Sequence, residues 1–374
     1  MASVKKVLVI GGGIAGMCAA IQLRKIGVAV DLIEVDKDWR VYGAGITLSG
    51  PTLRGFAEVG IIESIRRLGA LTDNLEIYTS DGRKVAELPT PRVAGPDVPG
   101  AGGILRPVLA GILRDATLAS GTAVRCGVTF KSIRQTTSGV EVVSSDGRKD
   151  TYDLAIGADG LFSTVRKTLF VDAPEPTYTG QASWRALVPR PAERRCAAMV
   201  MGGQVKVGVN PISSQQMYLF LTAPRDTPAP MDERVALETL RELLQEFGGF
   251  IGEIRDRLSE QSQVLYRPFY KILVPAPWHF GRVLLIGDAA HATTPHLASG
   301  AGIGVEDAVV LGQELAKEST VDHALAAFMV RRFERCRMVV ENSMRLGDLE
   351  AKGGANAEHQ SLMRESMSSL LAPI

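Results

Sequence analysis

The chain has 374 residues, and its 42 Lys and Arg against 41 Asp and Glu leave a net charge of +1. Such a balance gives no electrostatic reason to expect nucleic acid or an anionic membrane as a partner, so a small-molecule ligand is expected. Four widely spaced cysteines, Cys18, Cys126, Cys196 and Cys336, show neither CxxC nor Cys/His ligand spacing, which argues against a disulfide framework and against a metal site.

The predicted elements begin with an apolar strand from Val7 to Ile10 that breaks into Gly11-Gly12-Gly13-Ile14-Ala15-Gly16 and then a helical pattern over residues 17–26. Gly11 suits the tight turn, Gly13 lets backbone N–H groups approach a pyrophosphate, and Gly16 lets helix and sheet pack closely. A second apolar strand, residues 28–33, ends on Glu34, where an acid meets a ribose hydroxyl in dinucleotide folds. A plain βαβ unit with a solvated glutamate is the bland alternative.

A glycine-bearing loop at residues 39–46 leads to a helical pattern at 51–67, and residues 75–88 alternate around Ser80-Asp81-Gly82-Arg83, which predicts a hairpin from a second sheet. A Pro/Gly-rich stretch, 89–103, precedes a helix start at Leu105-Arg106-Pro107. Strands follow at 124–130 and 140–143, and a further apolar strand ends in Gly157-Ala158-Asp159-Gly160. Short alternating strands fill 177–221, a helical pattern covers 231–247, and a buried strand ends on Gly287-Asp288 before Pro295 and a glycine-rich approach to a helix at Val305. The stretch after Val339 is polar and is broken at Gly353-Gly354. The N-terminus leaves no room for a signal peptide before the first strand, and no apolar run has transmembrane length, so a cytoplasmic protein with no membrane partner is expected.

Three separated stretches, the GxGxxG with Glu34, the segment at Asp159, and Gly287-Asp288 with its continuation to Asp307, resemble in order the signatures of the single-component (class A) FAD-dependent aromatic hydroxylases of the para-hydroxybenzoate hydroxylase fold. The resemblance implies an α/β fold in which an FAD-binding Rossmann-like βαβ domain (1–72, 98–175 and 273–345) interleaves with an antiparallel-sheet substrate domain (73–97 and 176–272), followed by a C-terminal helical tail (346–374). It also implies an FAD-dependent monooxygenase that uses NADH or NADPH and O2 to hydroxylate an aromatic or N-heteroaromatic small molecule through a flavin C4a-hydroperoxide, as a monomer or homodimer.

By the same resemblance, Gly11, Gly13 and Gly16 would hold the FAD pyrophosphate, Glu34 its adenosine ribose, and Arg40 and Arg106 its phosphate and ribityl regions. Asp288 would accept from the ribityl side, and Gly300, Ala301 and Gly302 would bring helix-start N–H groups to the flavin's pyrimidine carbonyl. Asp159 belongs to a segment associated with FAD and the nicotinamide coenzyme, or else caps the helix after it. Arg40 and Arg106 could equally be solvated surface arginines. His291 reads as a structural turn residue. His296, after Pro295, is a candidate for substrate contact and proton transfer against simple loop packing. Asn210, Tyr218, Tyr266 and Tyr270 are candidate substrate residues, with a core role the alternative for Tyr218. Trp184 and Arg185, being adjacent on a strand, cannot face the same pocket. Ser183-Trp184-Arg185-Ala186-Leu187-Val188-Pro189 lacks the tryptophan pattern of flavin halogenases. An epoxidase or reductase of a larger hydrophobic substrate and a non-catalytic flavin redox sensor remain the rival functions.

Overall fold

The structure, a computed structural model, describes residues 3–41, 43–137, 139–353 and 356–374. Tyr42, within the expected loop, and Gly354, within the expected tail break, lie outside them. The first layer is a six-stranded sheet in the order His279–Phe280, Val283–Leu285, Leu154–Gly157, Lys6–Ile10, Ala29–Glu34, Ala123–Cys126. All its pairings are parallel except that of the two-residue edge strand. Its central strands read as continuous apolar runs because both faces are buried, the helices and the three-stranded sheet of Phe130–Gln135, Val140–Ser144 and Lys149–Tyr152 sharing its core. The nucleotide helix, Ile14–Lys25, packs beside the helix Gly300–Lys317, and the two share one hydrophobic core with the sheet.

The second layer is a seven-stranded sheet in the order Leu265–Lys271, Thr177–Pro189, Gln216–Pro224, Val205–Pro211, Ala197–Gly202, Asn74–Thr79, Lys84–Pro89. It is antiparallel but for one pair: Asn74–Thr79 runs parallel to Ala197–Gly202, which departs from the purely antiparallel sheet expected. Alternation divides its faces. Trp184, Val207, Val209, Leu219 and Leu221 face a core closed by Leu237, Leu240 and Ile251 of the flanking helices Glu233–Leu243 and Gly249–Arg257. Arg185, Lys206, Asn210, Tyr218 and Phe220 therefore point the other way, towards the first layer.

Two further boundaries differ from expectation. The pattern at 51–67 is two helices, Gly50–Val59 and Ile62–Leu68, because Gly60 takes φ 90 and ends the first in a left-handed cap. The polar C-terminal region holds one long helix, Val321–Ala351, so a domain boundary at 346 would fall inside it. Arg332 and Glu350 on its inner side are buried in ion pairs, which hides part of its core-facing side from a hydropathy pattern. The tail helix Ala357–Leu371 is gripped at its end, where Arg54 and Arg335 donate to the backbone carbonyls of residues 369–372 and Arg331 donates to that of Ile374.

Candidate active site

At the nucleotide turn, Gly11 has φ 108, and a Cβ there would lie 2.4 Å from the Ala158 carbonyl oxygen, while a Cβ on Gly16 would lie 2.0 Å from that of Gly11. A Cβ on Gly13 would meet nothing within 4 Å, so this glycine borders open space. Gly13 caps the nucleotide helix without a side-chain hydrogen bond, and the first turn carries no acid, so its N–H groups are left to an anion. Glu34 accepts from the Gly12 N–H at 2.7 Å, and the Trp39 indole donates to the Gly12 carbonyl at 2.8 Å. A cavity of 280 Å³ beside this turn is rimmed by Trp39, Arg40 and Arg114. Arg40 is half-exposed and also pairs with Asp36 and Asp38, each at 3.4 Å.

Asp288 follows Gly287 (φ 59) at the end of the apolar strand. Its carboxylate is reached by solvent yet surrounded by protein, has no protein hydrogen bond among the described residues, and is pushed up in pKa by burial, with His291 and Arg106 opposing. The Arg106 Nε is likewise buried without a partner. The helix Gly300–Lys317 starts bare: Ser299 turns its hydroxyl back to the Leu297 carbonyl at 2.8 Å, no side chain caps the helix, and its first turn has no acid. A Cβ on Gly302 would lie 2.4 Å from Thr52 Oγ1, so close packing on the Gly50–Val59 helix fixes that residue. Just before, Ala298 is held in the left-handed region at φ 48.

These uncapped helix starts, open glycine and unpartnered carboxylate fit a dinucleotide flavin, with Gly13 and the nucleotide helix at its pyrophosphate and Asp288, Arg106 and the Ser299 turn along its flavin half. Asp159 does not join them. Its carboxylate accepts from the Ser163 hydroxyl at 2.5 Å and from the Thr164 and Val165 N–H groups at 2.7 and 3.0 Å, so it takes the helix-capping role given as its alternative. Arg166 is fully buried and staples this segment to the flavin side by donating to the Ala289 and Leu161 carbonyls. His291 is structural, as expected: it sits 2.6 Å from Asp307, which also takes the Gly287 N–H and Arg332. His291, Asp307 and Cys336 are close enough to hold a metal, but the Arg332 guanidinium occupies the cation's place, 2.9 Å from Asp307 and 3.2 Å from Cys336.

On the inner face of the substrate sheet, the Tyr218 hydroxyl makes a short hydrogen bond with Thr47, and Asn210 donates to Thr47 at 3.2 Å and to the Gly102 carbonyl at 3.1 Å. Burial raises the Tyr218 pKa, so the phenol stays protonated and can donate but not act as a base. Tyr266 faces away, against Trp184 in the second core. His296 corrects a second expectation. Its ring is buried, with Nδ1 2.9 Å from Thr294 Oγ1 and Nε2 3.4 Å from Glu350, which also binds Lys206 at 2.7 Å and His359 at 2.9 Å. Burial and Lys206 push its pKa down to about 3, so it is neutral and a poor proton acceptor, held in an ionic knot by the long helix instead of facing substrate. Pro295 opens the short turn that carries it.

Sequence reasoning missed Lys206, Glu350, His359 and Arg332 altogether and gave Arg185 no role. A lysine inside the apolar strand Val205–Pro211 is the one signal that could have been read.

Fold and site together define a flavoprotein with a Rossmann-like dinucleotide unit and a separate substrate sheet. The family model described as "FAD binding domain" matches residues 5–343. The chain is 32% identical over 351 residues to the aurachin C monooxygenase/isomerase of Stigmatella aurantiaca, covering 92% of this chain and 89% of the relative. It is 31% identical over 348 residues to the 2-heptyl-3-hydroxy-4(1H)-quinolone synthase of Pseudomonas aeruginosa, again covering 92% and 89%. The crystal structure of Klebsiella pneumoniae HpxO with FAD and uric acid superposes with a TM-score of 0.83 at 23% identity, covering 98% of this chain and 92% of that one. The chain belongs to the FAD-dependent monooxygenases of this FAD-binding family. No helix among the described residues is long and apolar enough to cross a membrane.

Proposed function

We propose that this monooxygenase hydroxylates an aromatic ring of one- or two-ring size, with N-heteroaromatics of the quinolone kind as the first candidates, using NADH or NADPH and O2. The observation that carries this is the inner face of the substrate sheet, where Leu187, Phe220 and Leu265 pack around Tyr218 and Thr47 and Asn210 fix its polar end. An apolar surface with a few fixed polar groups suits a planar ring. Two relatives whose names specify quinolone or aurachin chemistry support the substrate class.

FAD, when bound, supplies hydride acceptance and oxygen activation. The chain's residues do the rest. Gly13 and the bare helix start hold the pyrophosphate, Glu34 the ribose, and Asp288 the ribityl side. The N–H groups at Gly300, Ala301 and Gly302 stabilise negative charge on the ring system. Tyr218, kept protonated and anchored on Thr47, donates to a ring oxygen, and Asn210 holds that pair in place. The apolar walls exclude water from the reacting face.

The test is NADH and NADPH oxidation by the FAD-loaded protein with hydroxyquinolines, quinolones, hydroxypyridines and phenols, reading peroxide and product mass together. Stimulated oxidation with a product one oxygen heavier supports the reading. Ligand-independent oxidation that yields only peroxide refutes it.

A further inference from the structure

The long helix Val321–Ala351 carries Gly347 on its buried side, well inside the helix. Glycine is the poorest helix former after proline, so this position calls for a packing reason. Gly347 has one. A Cβ on it would lie 2.8 Å from His296 Cε1, 3.1 Å from His296 Nε2 and 2.7 Å from Gln181 Oε1. The Gly347 carbonyl accepts from Gln181 Nε2 at 3.1 Å, and less than one turn further along Glu350 takes Lys206 at 2.7 Å. One short length of this helix therefore meets two strands of the substrate sheet and the turn Pro295–Leu297 that precedes the helix Gly300–Lys317.

The two neighbours of Gly347 differ in their freedom to yield. Gln181 meets it with the end of a flexible side chain. The His296 ring is held, with Nδ1 2.9 Å from Thr294 Oγ1, the Phe269 ring edge-on at 6.0 Å, and none of the side chain exposed. The turn behind it is closed on itself, since the Ala298 N–H donates to the Pro295 carbonyl at 2.9 Å and the Ser299 hydroxyl to the Leu297 carbonyl at 2.8 Å. The N–H groups of Gly300, Ala301 and Gly302 follow directly. Resting on the function proposed above, which places these groups at the flavin ring, we infer that Gly347 is a positioning residue for the flavin. Its missing side chain seats His296 against the long helix, and the closed turn carries that seat to the N–H groups that stabilise negative charge on the ring. Carbon atoms pack at about 3.5–4.0 Å, so a single methyl at Gly347 drives the imidazole and its turn outward by about 1 Å. A shift of that size at fixed donors is large for a reacting site. The same seat ties the flavin's surroundings to the substrate sheet, because Gln181 and Lys206 fix this length of helix.

The experiment places Gly347→Ala in three backgrounds of the FAD-loaded full chain, wild type, His296→Ala and Gln181→Ala, and reads the flavin midpoint potential, which needs no substrate. In the wild-type background G347A should weaken the preference for reduced over oxidised flavin about tenfold, a potential lower by about 30 mV. With the ring removed in H296A, the same change should alter that preference by no more than about twofold. With Gln181 removed, the full shift should persist. A purely structural seat would lower the melting temperature and leave the potential where it was. An unmoved potential in G347A, or equal shifts in the wild-type and H296A backgrounds, would overturn the inference. If G347A alone does not fold, the double variant with H296A must recover soluble, FAD-loaded protein, and failure of that recovery overturns it as well. Product mass from the wild type separates this from the function beneath it. A wild type that oxygenates no ring, with a shift that depends on His296, keeps the positioning role and removes the hydroxylase; an oxygenating wild type with an unmoved potential in G347A does the reverse.

Discussion

Two regions of the molecule treat their charges in opposite ways. In one, Glu350 binds Lys206 and His359 across three elements of the fold, with the neutral His296 ring beside them and its Nε2 and one Glu350 oxygen buried without a hydrogen bond among the described residues. In the other, on the flavin side, the Asp288 carboxylate and the Arg106 Nε have no hydrogen-bond partner among the described residues. The first pairs its charges by folding; the second leaves them to ligands. Chemistry is therefore expected where the protein leaves charges unpaired, and a buried neutral histidine beside a paired carboxylate, however suggestive its position, serves architecture.

The sharpest way to break this contrast is to unbalance the paired region. Glu350→Ala strands Lys206 and should cost about 3–5 kcal/mol in urea denaturation, whereas Lys206→Met combined with Glu350→Leu should be close to neutral. A loss under about 1 kcal/mol in the single variant would show that the knot is solvated. On the flavin side, Asp288→Ala should leave the fold intact and weaken FAD binding by about tenfold to a hundredfold, the usual worth of a hydrogen bond to a charged group. Wild-type FAD affinity in a fluorescence titration would remove Asp288 from the site.

Acid should expose the knot. The folded His296 imidazole protonates only at about 3, against the ordinary 6.5 of an unfolded chain, so unfolding takes up a proton between these values and stability falls as pH drops below 6.5. His296→Gln should lose that contribution, about 1.4 kcal/mol per pH unit, and the difference between the two denaturation series against pH should be flat if His296 is solvated instead. The smallest effect is expected at Ala298. Its left-handed backbone at φ 48 is one that glycine adopts freely, so Ala298→Gly should raise stability by about 0.5–1 kcal/mol by thermal melting, and a loss would show the strain to be absent.

The nucleotide half was legible because its rules are local. The apolar run from Val7 to Ile10, the glycines at 11, 13 and 16, Glu34, and Gly287-Asp288 each carry their reason within a few neighbouring residues. Asp159 illustrates the limit of a motif, since the same acid that marks a segment by pattern caps a helix by geometry. The substrate half depends on pairings distant in sequence. Alternation set Trp184 against Arg185, but nothing local tells which of the two meets the helices and which meets the first layer. Lys206 and Glu350 lie 144 positions apart, and no spacing rule joins them. The long helix Val321–Ala351 looked polar because Arg332 and Glu350 are buried with their counter-charges, so composition concealed the face it turns inward.

The placement of Leu154–Gly157 between Lys6–Ile10 and Val283–Leu285 also governs how the chain must assemble. The strand that completes the parallel sheet is made only after nearly all of the substrate sheet, so closure joins segments very far apart along the chain. Such long-range parallel pairing makes for slow, stepwise refolding, with half-built sheet edges open to aggregation in the interval. Tight FAD uptake should then be a late event, because Asp288 follows directly on that closing strand. Grafting a new substrate sheet onto this scaffold must accordingly preserve the crossings on either side of the Asn74–Pro89 hairpin as well as those after Gly157 and before His279.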